Sequence, residues 1–395
     1  MALVRVHGVV KDYEWGTGDT IPELLGYPAD GKPQAEYWMG THPSGEARLD
    51  DGTRLSEFLE KRAPVWLGEG HIRRFGAKLP FLFKILAIAK PLSIQCHPTT
   101  EQARAGWKKE ARLRLDDPDP SHWDYQDDNR KAEVLYALSP VTAMCSFRPF
   151  EEIRRDFERL MPDGYRKYLH PEHQGDAGLS ELFSRLYTLD KESLKHCIDE
   201  YLANLAESDL PLQNGPFLEP KGIVLEAAKT YPVDPGLFCP FLLHVLHLAP
   251  GEAVFLRPDT LHAYTRGVGL ELMSASDNVL RGGLTHKKVD VPELLSLLEI
   301  AGGEQKLCEE QVVADGRVRV VTPTEEFALY VLPAGLYHVD QPSVEIFFCT
   351  EGKAKISSGA EWQTIRKGEC WVKSASTDRY QVKVEGTLFS ATTGA

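Results

Sequence analysis

Nowhere in the 395 residues do two cysteines stand as Cys-x-x-Cys. The seven cysteines (Cys96, Cys145, Cys197, Cys239, Cys308, Cys349 and Cys370) are scattered and odd in number. That pattern argues against a disulfide framework or a cysteine-based zinc site and suits reduced thiols. Basic charge is also in short supply: 45 Lys and Arg face 58 Asp and Glu, a net charge of -13, with no basic tract to neutralise a phosphate backbone. The longest apolar run, residues 79–94, is broken by Lys84 and Lys90 well short of the roughly 20 residues that span a bilayer. The first residues lack the apolar core of a signal peptide. A cytoplasmic protein with neither nucleic acid nor membrane as partner is expected. No Walker A or Gly-x-Gly-x-x-Gly loop occurs, so any phosphate would have to be held by Arg, Lys and hydroxyl groups.

What remains is an ordinary globular composition, 42% hydrophobic and 26% charged, long enough for two or three domains. Residues 1–150 consist of short apolar runs punctuated by Gly, Pro and Asp and read as mostly sheet, with a few helices such as 55–61. From Phe150 to about Tyr231 the apolar residues recur every three or four positions, at 151–160 and 179–205, which predicts a helical module. Near Pro240 the β pattern returns, with two strands around Pro250-Gly251, then a helix over 291–300 and short strands from 308 onward. The helical part therefore reads as an insertion into a β domain. Leu248-Ala-Pro-Gly-Glu-Ala-Val-Phe-Leu is echoed by Ile365-Arg-Lys-Gly-Glu-Cys-Trp-Val-Lys, which suggests two copies of one β unit. Eleven residues after Gly251 stands His262, but eleven after Gly368 stands Arg379, which cannot ligate a metal.

Four segments concentrate chemistry: Ser93-Ile-Gln-Cys-His97, Asn129-Arg-Lys-Ala-Glu133, Pro258-Asp-Thr-Leu-His-Ala-Tyr264, and the stretch from Glu271 to Arg281. In a strand Gln95 and His97 share a face while Cys96 points away. Taken alone, the pair reads more readily as the hydrogen-bonded wet end of a strand than as a ligand pair. His262 sits just after a turn, and Glu133 is either a ligand or the polar start of the strand Val134-Leu-Tyr-Ala-Leu. His244 and His247 fall on opposite faces and read as structural. Lys84, inside an apolar run, needs an anionic partner or a route for its stem to solvent. Gly282-Gly283 allows close backbone approach to a ligand, or is a plain turn. Spacing alone leaves a metal site in a β domain as one reading among these.

The blocks Tyr13-Glu-Trp-Gly16, Ala35-Glu-Tyr-Trp-Met-Gly-Thr-His-Pro-Ser44, Pro80-Phe-Leu-Phe-Lys84, Pro91–98, 133–140, Pro250-Gly-Glu and Ser274-Ala-Ser-Asp-Asn-Val-Leu-Arg-Gly-Gly-Leu-Thr285 occur in the order found in the type I phosphomannose isomerases, which this chain closely resembles. The resemblance implies a mainly β fold with an α-helical insertion, comprising two cupin-type (jelly-roll) β domains and a helical domain. Residues 1–149 and 237–300 would form the metal-binding catalytic domain, 150–236 the helical insertion, and 301–395 a metal-free cupin-like domain.

It also implies one zinc ion per chain, held by Gln95, His97, Glu133 and His262. The expected reaction interconverts mannose 6-phosphate and fructose 6-phosphate by zinc-assisted proton transfer through a cis-enediol. Arg281 would stabilise developing charge, and Lys131 and Glu271 are the candidates for proton transfer. Lys84, Ser93 and Lys287 would line the pocket and hold phosphate, Tyr264 would hydrogen-bond the sugar, and Trp15 would flank the cleft or pack. A monomer acting on a small sugar phosphate is expected.

Two departures stand out. Arg130-Lys-Ala-Glu133 replaces the family's His-Lys-Pro-Glu, and Thr285-His286-Lys287 replaces Thr-Pro-Lys. They keep two alternatives open, an isomerase of a different aldose or sugar phosphate and a non-catalytic sugar-binding cupin.

Overall fold

The computed structural model describes residues 2–170 and 173–394. The long apolar run resolves into the strand Phe81–Ile88, buried at every position. It reads as unbroken because both of its faces are covered. Phe81, Phe83, Ile85 and Ala87 point into a core shared with the C-terminal unit, which also takes Val134, Tyr136, Leu270 and Leu272 from neighbouring strands. The period of two then turns Lys84, Glu133 and Glu271 to the opposite, inner face.

The organising strand is His262–Ser274, thirteen residues long. One half pairs with Phe81–Ile88, with Glu271 opposite Lys84, and with Glu133–Ala137, with Met273 opposite Glu133. Its other end pairs with Ile94–Cys96 and Val141–Phe147, with His262 opposite both Gln95 and Cys145. Leu280–Gly283 completes that end, with Arg281 opposite Gln95. The two strands around Pro250-Gly251 are present as Leu243–Leu248 and Ala253–Leu256, but they do not pair with each other. One joins Val141–Phe147 and the other Glu133–Ala137, so the turn at Gly251, with φ 100, carries the chain from one part of the barrel to another.

The insertion is helical: Phe150–Leu160, Gly175–Tyr187, Lys191–Glu207 and Pro220–Ala228. The single apolar periodicity over 179–205 is two helices, because the Asp190 carboxylate accepts hydrogen bonds from the amides of Glu192 and Ser193 at 3.1 and 3.0 Å and starts a new one. The helix expected over 291–300 is Val291–Leu297. It stops where Gln102 Nε2 binds the Leu297 carbonyl, and Leu298 is extended. Residues 1–150 hold more helix than their punctuation suggests, including Thr100–Lys109, closed by a Thr99/Gln102 capping box. Among the described residues no helix is long and apolar enough to cross a membrane.

The second sheet is built on Glu345–Ser357 and Arg379–Thr392. The chain's first strand, Leu3–His7, belongs to this sheet, paired with Cys370–Lys373. The two β units match strand for strand at the sequence echo. Five residues after Gly251, Leu256 lies opposite Glu133; five after Gly368, Lys373 lies opposite Glu345. Glu133 and Glu345 also each face the long strand that follows, at Met273 and Thr392. Glu345 is thus the second unit's counterpart of Glu133. It is fully buried and answered from within the chain: Lys373 Nζ lies 3.2 Å from Oε1 and an Arg317 guanidinium nitrogen 3.3 Å from Oε2. Tyr380 and Ser390 hydroxyls donate to it at 2.6 and 2.7 Å.

One further contact joins the units. Arg130, in the loop before Glu133, grips Glu326 with Nε and a terminal nitrogen at 2.7 and 2.6 Å and reaches Thr324 Oγ1 at 3.2 Å. Burial alone would raise the Glu326 carboxyl, but these hydrogen bonds override it and bring the pKa to about 2.

Two predictions follow from these ion pairs. Lys373→Met leaves Glu345 short of a buried counter-charge and should cost about 3–5 kcal/mol in denaturant unfolding, whereas replacing Arg317, Glu345 and Lys373 together by apolar residues should cost far less. A loss below about 1 kcal/mol for Lys373→Met would mean that the carboxylate does not depend on its ammonium. The second concerns pH. Because the folded pKa of Glu326 is depressed, its stabilisation is present above the unfolded value of about 4.3 and is lost as pH falls toward 2. The difference in Tm between wild type and Glu326→Gln should be flat between about pH 6 and 8 and shrink below about pH 4.5; a gap that persists at low pH would contradict the pairing.

Candidate active site

His97, Glu133 and His262 offer ligand atoms that all lie within 4.8 Å of one another. Their positions follow from the ladders. Glu133 opens its strand on the inner face, His262 opens the organising strand, and His97 follows Ile94–Cys96 on the face it shares with Gln95. His97 Nε2 is 3.2 Å from Glu133 Oε1 and His262 Nε2 is 3.4 Å from Oε2. Each imidazole is fixed from behind: His97 Nδ1 binds the Asn278 carbonyl at 2.7 Å and His262 Nδ1 the Thr260 carbonyl at 2.8 Å. A carbonyl only accepts, so both Nδ1 atoms carry the proton and both Nε2 lone pairs face the carboxylate.

That arrangement fits a metal ion. Two lone pairs beside an anion repel it, and His97 Nε2 is buried without a hydrogen-bond partner among the described residues. Burial, reinforced by the Lys131 charge, lowers the His97 pKa to about 4, so the ring is neutral, as a ligand must be. Glu133 is held well below the carboxylate range, since the Lys131 charge and the facing imidazoles outweigh the cost of burying it. Two imidazoles and a carboxylate make up this group, and Gln95 lies directly opposite His262 in the ladder, its amide donating to Ser93 Oγ at 3.4 Å. Such donors suit zinc. Cys96 faces away into the core.

Around this centre lies a buried charge cluster. Lys131 Nζ is 3.0 Å from Glu133 Oε1. Lys84 Nζ is 3.1 Å from Glu271 and 3.7 Å from Glu36, and lies 4.9 Å from the centre of the Trp38 ring. Lys84 is therefore committed to two carboxylates deep in the barrel rather than lining the open cleft. Burial raises the Glu271 pKa, an effect the Lys84 charge only partly offsets. The Tyr264 hydroxyl is buried and has no hydrogen-bond partner among the described residues.

A cleft of about 400 Å³ opens beside Gln95. Trp15, stacked on Tyr13 with ring centres 5.9 Å apart, forms one wall with Lys90 and Ser93. Arg281 and Lys287 form another; Lys287 is lowered in pKa by burial and by the Arg281 charge beside it. Two cations held close together raise the positive potential of that wall. Glu226, Thr230 and Tyr231 of the helical insertion close the third side.

The Gly282-Gly283 pair serves packing: Gly283 has φ 127, and a side chain there would meet Asp234 and Gly236. Asp234 Oδ1 also accepts from the Gly236 amide at 2.7 Å beside the turn that lacks the family's proline. His286, in that proline's place, packs on Tyr231 with ring centres 4.9 Å apart. His244 and His247 bind the carbonyls of Gly303 and Leu218 and are structural.

Sequence reasoning missed Glu36, Lys90, Asn278 and the insertion's residues. Glu36 had a signal, since a buried Lys84 requires an anion and Ala35-Glu-Tyr-Trp supplies one. Lys90 registers only as a break in the apolar run, and Asn278 stands in the block Ser274 to Thr285 without a role. The insertion's contribution left none, because helical periodicity marks the core face and says nothing of which residues overhang a neighbouring barrel.

The fold and this geometry have known counterparts. Residues 3–150 match the catalytic domain of type I phosphomannose isomerase and residues 151–243 its helical insertion domain. Mannose-6-phosphate isomerase of Escherichia coli is 36% identical over 390 residues, 96% of each chain. The human mannose-6-phosphate isomerase is 33% identical over 336 residues, 78% of this chain and 76% of its own. A solved alanine mutant of phosphomannose isomerase from Salmonella typhimurium superposes with a TM-score of 0.90 at 31% identity, covering both chains fully, and so, at 32%, does a mannose 6-phosphate isomerase bound with zinc and yttrium. With its layout, its metal-fitting centre and its relatives in agreement, the chain belongs to the type I phosphomannose isomerase family.

Proposed function

We propose that this protein is a zinc-dependent aldose–ketose isomerase interconverting mannose 6-phosphate and fructose 6-phosphate. The observation that carries the reading is the pairing of two fixed, neutral imidazoles with a buried carboxylate beside a cleft that gathers cations. Gln95, His97, Glu133 and His262 would hold the zinc. When bound, zinc supplies Lewis-acid stabilisation of charge on the sugar's O1 and O2.

The remaining roles fall to side chains. Lys287, with Lys90 and the Ser93 hydroxyl, meets the phosphate in the cleft. Trp15 gives the sugar an apolar wall, and the unpartnered Tyr264 hydroxyl supplies it a hydrogen bond. Glu271 takes the C2 proton. The carbonyl electron pair moves to O1, which gains a proton, and a cis-enediol forms; loss of the O2 proton and return of a proton to C1 gives the ketose. A carboxyl raised by burial has a pKa nearer the working pH, as a general base requires. Lys84 sets that carboxyl's position. Lys131 and Arg281 place positive charge where the enediolate develops.

The departure at Arg130 does not favour another substrate, because its side chain leaves the centre for Glu326. We read the enzyme as a monomer in the cytoplasm acting on a small sugar phosphate and not on nucleic acid. A net charge of -13 and seven unpaired cysteines support that reading.

Incubation with mannose 6-phosphate in D₂O should yield fructose 6-phosphate carrying deuterium, chelation should abolish turnover, and zinc should restore it; a zinc-loaded protein that leaves the substrate unchanged would sink the proposal. Arg281→Ala should lower kcat by about 10²-fold or more with zinc retained. Lys287→Ala should act mainly on KM, by roughly tenfold, and a pure kcat effect would remove it from the phosphate.

A further inference from the structure

The loop that delivers Lys131 to the centre is pinned up to residue 129 from within its own unit. Asn278 accepts from the Gln126 amide at 2.7 Å and donates to the carbonyls of Asp127 and Asn129 at 2.9 and 2.8 Å. From Ala132 onward the chain is held again, by Ser274 and then by the ladders on both sides of Glu133. Arg130 and Lys131 lie between these anchors. Successive side chains there diverge: Lys131 turns inward to Glu133, and Arg130 turns outward to the C-terminal unit.

The outward grip is bidentate, which fixes orientation as well as distance. Its receptor is prepared, because the Thr324 hydroxyl also donates to Glu326, whose own amide returns to Thr324 Oγ1 at 3.4 Å. A lysine at position 130 would bring a point charge and no fork. We infer that Arg130 is a positioning residue: its fork on Glu326 sets the backbone from which Lys131 reaches the reacting centre, so the C-terminal unit takes part in the reaction. The inference rests on the isomerase reading and on the role given there to Lys131.

The fork constrains Lys131 but not Glu133, which its ladders hold independently. Losing it should therefore slow the chemistry without loosening the zinc. Displacements near 1 Å can cost up to about 10²-fold, so Arg130→Ala and Glu326→Ala should each lower kcat on mannose 6-phosphate by about tenfold, with KM changed less than about twofold. The double variant should be no slower than either single one, and Arg130→Lys should fall between. The chelator concentration that strips zinc should stay at the wild-type value. Arg74→Ala is the control: it removes the neighbouring ion pair with Glu325, at 3.2 Å, without touching the loop, and should keep wild-type kcat.

Glu326→Gln keeps the shape of the side chain should the alanine variants fold poorly, and its crystal structure should show Lys131 withdrawn from Glu133. Wild-type kcat in folded Arg130→Ala and Glu326→Ala, losses that add in the double variant, or a change in KM or zinc retention instead of kcat would overturn the inference. If the wild type itself fails to turn over mannose 6-phosphate, the isomerase reading falls, and the position of Lys131 in the Glu326→Gln crystal still decides whether the fork places it.

Discussion

The site depends on a constraint of charge in a dry interior. Lys84, Lys131, Glu36, Glu133 and Glu271 are each less than a tenth exposed, and a buried charge without a partner costs several kcal/mol. Two ammonium groups answer three carboxylates, which leaves the cluster one positive charge short. The deficit falls beside Glu133, where both facing imidazoles present lone pairs instead of protons. A cation is the group that relieves this arrangement, and the two carbonyls behind the rings prevent the histidines from relieving it by turning over.

That cluster can exist only because the strands carrying it have two distinct faces. Phe81–Ile88 gives Phe81, Phe83, Ile85 and Ala87 to a core shared with the C-terminal unit, and the alternate positions to the inside of the barrel. The apolar half stabilises what the polar half destabilises. The C-terminal unit is in this sense the back wall of the site, and the first strand of the chain, paired into that wall, ties the two units together from the outset.

Much of this was legible in the sequence. Gln95 and His97 share a face because a strand alternates, and family order joined them to Glu133 and His262. The helical insertion announced itself through its periodicity. What stayed hidden has a common cause, which is pairing over long separations. The Arg130–Glu326 fork spans 196 residues, and nothing local distinguishes an arginine that turns outward from one that faces a substrate. Pro250-Gly251 looked like a hairpin turn because local sequence encodes the reversal but not the partner strand. The insertion's Thr230 and Tyr231 reach the cleft only through the packing of one unit over another.

The two β units pose the same problem at the same strand position and resolve it with different currencies of charge. On the proposed reading Glu133 would be answered in part by an exchangeable ion, whereas Glu345 is answered by Lys373 and Arg317, counter-ions tethered to the backbone that no chelator can extract. The C-terminal unit therefore owes none of its integrity to metal supply. Neither that back wall nor the Arg130–Glu326 anchorage of the loop before Glu133 is built on a metal, so on the proposed reading zinc would enter a seat whose walls the chain holds by itself.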